Sequence, residues 1–232
     1  MADKGHKDEI HRHSGWWFPA AVLLAVLILS GLLLGWYLRP GLRPGSPTGQ
    51  SHALGVNVGG VFFTIPANYF ESSSTASAMK NVTLVALFPS WRGYADSDAR
   101  LFAGNAPDSP LIRLSLRADS NNLNGRARLE RIYRPRLSNP KGEKGPFGLT
   151  RYGFSAGSGY QDYELFAGES GADLELLLCE HGSSQFPSPN CLVVDRPLTA
   201  NVSFSYRFKR AYLARWRDIA TGVEKLIGKF RG

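Results

Sequence analysis

The sequence predicts an α+β protein. A single N-terminal transmembrane helix precedes a β-rich antiparallel-sheet domain, which carries one disulfide and ends in a C-terminal amphipathic helix. Three observations predict this. An uncharged apolar run fills residues 16–38, short alternating or wholly apolar segments recur from 61 to 208, and an apolar stripe at helical spacing closes the chain. With 43% hydrophobic and 12% aromatic residues, the 232-residue chain can bury a full core and does not have the composition of a disordered protein.

The first fifteen residues, MADKGHKDEIHRHSG, read as a solvated cytoplasmic tail. His6, His11 and His13 give it the composition of a metal-binding tract, but a short charged tail is more often only hydrated, so no metal and no cofactor is assigned.

Residues 16–38, WWFPAAVLLAVLILSGLLLGWYL, read as the membrane-spanning helix. At roughly 1.5 Å per residue the run crosses a hydrocarbon layer of roughly 30 Å. Trp16 and Trp17 at one end, and Trp36 and Tyr37 at the other, suit the two half-wet membrane interfaces. Pro19 sits in the first turn, where its missing N–H costs little. A cleaved signal peptide would have a shorter apolar core and a small-residue cleavage site, whereas this run ends GWYLRP. Gly31 and Gly35 form a GxxxG, a candidate pairing face for a homodimer. Lys4, Lys7 and Arg12 precede the span and Arg39 and Arg43 follow it, so the positive-inside bias favours a cytoplasmic N-terminus by one charge. The expected location is the inner membrane, with the C-terminal domain in the periplasm.

Residues 39–52, RPGLRPGSPTGQSH, read as a flexible linker, and the domain is expected over 53–232. In GVFFTIP, Val61, Phe63 and Ile65 alternate with Phe62 and Thr64; NVTLVALF is apolar on both faces; LIRLSLRA sets Arg113, Ser115 and Arg117 on one basic face. YELFAG, DLELLLC, CLVVD and NVSFSYRF follow, with short turn-like gaps that argue for antiparallel pairing. ESSSTASAMK reads as a Ser-rich loop. From Leu213, apolar residues recur at Trp216, Ala220, Val223, Ile227 and Phe230, one stripe of a helix. That stripe either covers a sheet face or rests on an anionic membrane, with Trp216 as anchor.

Cys179 and Cys191 lie between two strand-like runs, across the turn-rich loop EHGSSQFPSPN. Two cysteines with the one nearby histidine, His181, match no zinc pattern. In an oxidising compartment such a pair bridges, and a disulfide clipping a hairpin is expected; buried thiols in a cytosolic domain are the alternative.

GFSAG, residues 153–157, matches G-x-S-x-G, with Asp173 and His181 following in hydrolase order. Its surroundings do not build a nucleophile elbow: GLTRY before it is short and polar, and SGYQDYELF after it reads as a strand. No catalytic residue is assigned, and an envelope serine hydrolase acting through Ser155 is kept as the alternative. Asp96 and Asp98 are too few for a calcium loop.

Net charge is +8; five of the 27 Lys+Arg and three of the 19 Asp+Glu precede residue 50, leaving +6 on the rest. A basic domain favours anionic partners. Arg126, Arg128, Arg131, Arg134 and Arg136, in the stretch GRARLERIYRPRLSNPKGEKGPFGLTR, are candidate contacts to one, with a solvated Pro/Gly-rich loop as the plain alternative. Nucleic acid is absent outside the cytoplasm and is not expected as the partner. The expected role is a membrane-anchored extracytoplasmic binding or accessory protein without catalysis, with an unidentified protein partner. An immunity- or inhibitor-type module that holds an incoming protein is a further alternative.

Overall fold

A computed structural model describes residues 16–38, 47–72, 78–120, 122–171, 173–184 and 187–232. The chain divides into two compact units, Met1–Arg43 and Pro44–Gly232. The histidine tail, most of the linker and the centre of the Ser-rich loop lie outside the described residues.

In the first unit the described residues form helix α1 (Trp17–Leu38), which is apolar on all sides. From Trp17 to Gly35 it is long and apolar enough to cross a membrane, and none of it is buried in protein.

The second unit is built on two sheets. Strands β1 (Ala53–Val58) and β2 (Val61–Pro66) form a hairpin, to which the two-residue β3 (Ala78–Met79) adds in parallel. Next come β4 (Asn81–Leu87), a short helix α2 (Ala99–Ala103), β5 (Leu111–Ala118) and helix α3 (Gly125–Arg128). The chain continues through β6 (Glu143–Lys144), β7 (Thr150–Gly153), β8 (Tyr163–Ser170), β9 (Asp173–Glu180), β10 (Asn190–Thr199) and β11 (Val202–Lys209), and closes with helix α4 (Trp216–Arg231). The large sheet has eight strands in the order β4-β5-β11-β10-β9-β8-β7-β6. All its pairings are antiparallel. The fold class read from the sequence is the observed one.

Strand alternation decides what each sheet face meets. Leu84, Leu114, Tyr206, Val193 and Phe166 point to one face, where they pack with the hairpin and with α4. The α4 stripe (Trp216, Ala220, Val223, Ile227 and Phe230) is buried there. A buried Trp216 cannot anchor at a membrane surface, so the helix covers the sheet. The opposite face is covered in two places. Phe102 of α2 packs on Val85 and Leu111, while Leu129, Tyr133 and Leu137 pack on Leu165, Leu176 and Val194.

The second cover replaces the alternative of a solvated loop around Arg126–Arg136 with a packed helical segment. Residues 125–136 are continuously helical: α3 runs into a π turn (Leu129–Tyr133) and a 3₁₀ turn (Arg134–Arg136). Asn124 caps the start, its side chain accepting from the Ala127 N–H at 2.8 Å. Leu129, Tyr133 and Leu137 fall four residues apart, which places them on one helical face. Gly125 permits the approach, because a Cβ there would lie 1.7 Å from the Leu174 carbonyl oxygen.

Candidate binding face on the eight-stranded sheet

Between the two covers, the outer face of β4, β5, β11 and β10 stays open. Registers Thr83↔Ser115 and Ser205↔Ser115 set three hydroxyl side chains in a row across three strands. One step along, Arg113 faces Arg207 directly across β5 and β11, and Arg207 faces Leu192 of β10. With Glu71, Tyr163, Glu180 and Asn190 these residues line a cleft of about 380 Å³.

The charges in this cleft are unequally matched. Glu71 accepts from the Arg113 Nε–H at 2.8 Å. The Glu180 carboxylate accepts from the Asn190 N–H at 2.7 Å and from its side-chain amide at 3.0 Å. Arg207 is exposed and has no ion-pair partner among the described residues. Like charges directly opposite on adjacent strands are unfavourable. Lys209, two residues on, is only 4% exposed and donates to Asn105 Oδ1 at 2.6 Å and to the Ser188 carbonyl at 3.1 Å. Burial lowers its pKa, the charge of Glu180 opposing and those of Arg113 and Arg207 adding to the fall. The lining thus holds two arginines and two glutamates, and Arg207 is the cation left without an ion-pair partner among the described residues, beside neutral hydroxyls. That arrangement can receive an acidic group, and among the described residues it contains no nucleophile held by a base.

On the covered face the polar groups are structural. Glu175, 1% exposed, accepts from the Tyr206 hydroxyl and lies 3.5 Å from Arg196 Nη1, which also reaches Glu224 at 2.8 Å. Burial raises the Glu175 pKa, its hydrogen bond from Tyr206 and the charge of Arg196 opposing; burial next to this carboxylate raises that of Tyr206.

The sequence-predicted residues fall in several places. Cys179 and Cys191 are bonded to each other, opposite one another on β9 and β10 with Cα atoms 4.0 Å apart, and fully buried. Trp16 and Trp17 are exposed at the start of α1; Trp36 and Tyr37 belong to its last turn. Gly31 and Gly35 lie on α1, where an added Cβ would meet nothing within 4 Å.

The arginine stretch is largely occupied. Arg126 pairs with Glu169 at 2.8 Å, and Arg128 lies 3.9 Å from Asp195. Arg134 pairs with Glu130 and donates to the Pro140 carbonyl, and Arg136 donates to the Ile132 carbonyl. Arg131 is exposed without an ion-pair partner among the described residues.

Ser155 follows β7 in a turn, its N–H bonded to the Arg136 carbonyl and its own carbonyl accepting from Ser158. Asp173 accepts from the Gly125 and Leu174 N–H groups at one end of β9. His181 follows the other end, on the order of 25 Å away at strand rise. These three residues do not form a triad. Among the described residues no group of three or more His, Cys, Asp or Glu could hold a metal ion.

No protein-family model matches the chain, and no curated protein matches it. Among solved structures, the chain is similar to an immunity protein of the Stenotrophomonas maltophilia type IV secretion system. The TM-score is 0.53 at 18% identity, over 78% of this chain and 94% of that one. It also matches the iron-regulated outer membrane lipoprotein FrpD of Neisseria meningitidis, with a TM-score of 0.39 at 16% identity, over 81% of this chain and 96% of that one. The first likeness is one of fold.

Proposed function

We propose that this chain is a membrane-anchored, non-catalytic binding protein of the immunity type, which holds an incoming protein at the outer side of the inner membrane. The observation that carries the reading is the fold shared with a secretion-system immunity protein over 94% of that protein's length. The open sheet face supports it, because its exposed Arg207, without an ion-pair partner among the described residues, suits an acidic group on a protein surface. Helix α1 supplies the anchor, and Gly31 and Gly35 would let two copies pair in the membrane. The charge bias of the flanks and the disulfide both favour a cytoplasmic N-terminus and an oxidising compartment for the domain. Of the arginine stretch, Arg131 is the residue left free for a partner.

The test is gentle detergent extraction of the full chain, followed by identification of any protein that co-purifies in stoichiometric amount. Exported alone into the periplasm, that protein should inhibit growth, and co-expression of this chain should relieve the inhibition. A co-purifying protein that is harmless when exported, or toxicity that persists with this chain present, would defeat the proposal. A reporter active only outside the cytoplasm should be active when fused after Gly232 and silent when fused before Met1.

A further inference from the structure

Among the described residues, two non-glycine residues have left-handed backbone, Trp91 (φ 56°) and Phe147 (φ 57°). Both are aromatic, but only one conformation is explained by packing. The Trp91 ring fills the notch at Gly222 of α4, where a Cβ would lie 2.0 Å from ring atom Cζ2. The Phe147 ring covers nothing comparable and is 51% exposed.

Phe147 is the first central residue of a tight turn, Pro146-Phe147-Gly148-Leu149, closed by Leu149 N–H to the Pro146 carbonyl at 3.0 Å. Phe147 (φ 57°, ψ 29°) and Gly148 (φ 74°) both have positive φ. This is the type I′ pattern, whose favoured central pair is Asn-Gly. The turn is well held: the Phe147 carbonyl accepts from Trp216 Nε1–H at 3.3 Å and from Arg217 Nη1 at 3.4 Å. Gly145 N–H adds a bond to the Leu149 carbonyl at 2.8 Å. A rigid turn thus presents a large apolar ring to solvent from a position where asparagine would fold better. Such a local disagreement between sequence and fold is the mark of a working site.

The surroundings indicate what the ring meets. Lys141, Lys144 and Arg217 are exposed around the turn and have no ion-pair partner among the described residues. Arg217 is stacked on Trp216, its guanidinium carbon 4.4 Å from the ring centroid, and so holds a fixed direction. The two acids nearby are engaged, as Glu143 and Glu164 pair with Arg151.

We infer that Phe147 is the anchor of the protein-binding surface, inserting into an apolar recess that acidic residues surround on the partner. The inference rests on the binding function proposed above and adds a contact at the β6–β7 edge beside the start of α4, separate from the open face of β4, β5, β11 and β10. A protein suits the site better than a membrane, because one half-exposed ring buries too little area to hold a lipid surface, whereas one pre-positioned aromatic at the centre of an interface dominates its affinity.

The experiment places a photo-crosslinking amino acid at position 147, 207 or 62 of the full chain in intact cells. Phe62 is the control, exposed to 72% on the β1–β2 hairpin. Position 147 should give a protein adduct that position 62 lacks, and high salt should reduce it. In parallel, Phe147→Asn in the detergent-extracted full chain should raise the thermal midpoint by about 2–4 °C. It should also weaken binding of the crosslinked protein by about 30-fold or more. Adducts at 207 but not at 147, or undiminished binding by Phe147→Asn, overturn this inference and leave the proposed function standing. No protein adduct at any position, with no co-purifying protein, overturns both. Binding to vesicles of 7:3 phosphatidylcholine:phosphatidylglycerol that Phe147→Asn abolishes would assign the ring to the membrane and also overturn the inference.

Discussion

Replacing both cysteines, as Cys179→Ala/Cys191→Ala, removes the one covalent restraint on the β9–β10 hairpin. The bond closes a loop with a sequence separation of 12. On the chain-entropy argument a loop of this size is worth about 3 kcal/mol, because the unfolded chain regains the freedom that the bond denied it. For a domain of this size each kcal/mol moves the thermal midpoint by about 2–4 °C, so the double variant should melt about 6–12 °C lower. Both side chains are fully buried among Leu177, Val193 and Phe208, so alanine at each position leaves an apolar filling and no orphaned polar group. The assay is a melt of the full chain in detergent, followed by circular dichroism, beside wild-type protein refolded in reductant. The two samples should lose similar amounts. A drop below about 2 °C in both would refute the reasoning, since the pairing of β9 with β10 would then hold the loop ends without help. Full thiol labelling of denatured, unreduced protein would refute the bond itself.

Other expectations follow from the same geometry. In α4, Gly222→Ala and Gly228→Ala should act with opposite signs. The first drives a Cβ into the Trp91 ring and should cost about 1–3 kcal/mol, while the second meets nothing within 4 Å and should gain up to about 1 kcal/mol of helix propensity; equal shifts in the two melts would deny the Trp91 contact. Glu175→Gln should hold or raise the midpoint at neutral pH. Burial lifts the folded-state pKa of Glu175 above its unfolded value of about 4.5, so this group destabilises increasingly as pH rises from 4.5 through the folded value, and the variant should lose that part of the pH dependence. A loss of several degrees at pH 7 would mean that the charged Glu175–Arg196 contact stabilises after all. Arg207→Glu should turn the repulsion with Arg113 into attraction, stabilising the fold by up to about 1 kcal/mol and reducing the gain that wild type shows on adding salt. Equal salt responses in the two proteins would remove the like-charge pair as a source of strain.

What the sequence discloses, and what it hides, follows the range of the interactions involved. The strands β2, β4, β5 and β8 to β11 are readable because each carries its own alternation or apolar run, and α4 because its stripe repeats within a turn or two. Strand β1 escapes because ALGVNV has glycine and asparagine where a strand pattern is sought, and only pairing with β2 fixes it. Residues 125–136 escape for a different reason. Their charge and the nearby Pro and Gly suggest a loop, whereas Leu129, Tyr133 and Leu137 already sit at helical spacing.

The open face is half legible. LIRLSLRA displays Arg113 and Ser115 on one side, and NVSFSYRF displays Ser205 and Arg207, but local pattern cannot say that β5 and β11 are neighbours. That adjacency alone turns two ordinary basic strands into a like-charged pair, of which Arg113 has an ion-pair partner and Arg207 has none among the described residues. The same holds at the Phe147 turn. PFG reads as an unremarkable loop until the backbone shows that phenylalanine stands in an asparagine's place, pinned from behind by Trp216 and Arg217, which come from the far end of the chain. Residues that serve the fold repeat a pattern with their neighbours. Residues that depart from the fold's preference become visible only when the fold supplies the expectation they violate, and Arg207 and Phe147 are the exposed residues here that do so most clearly.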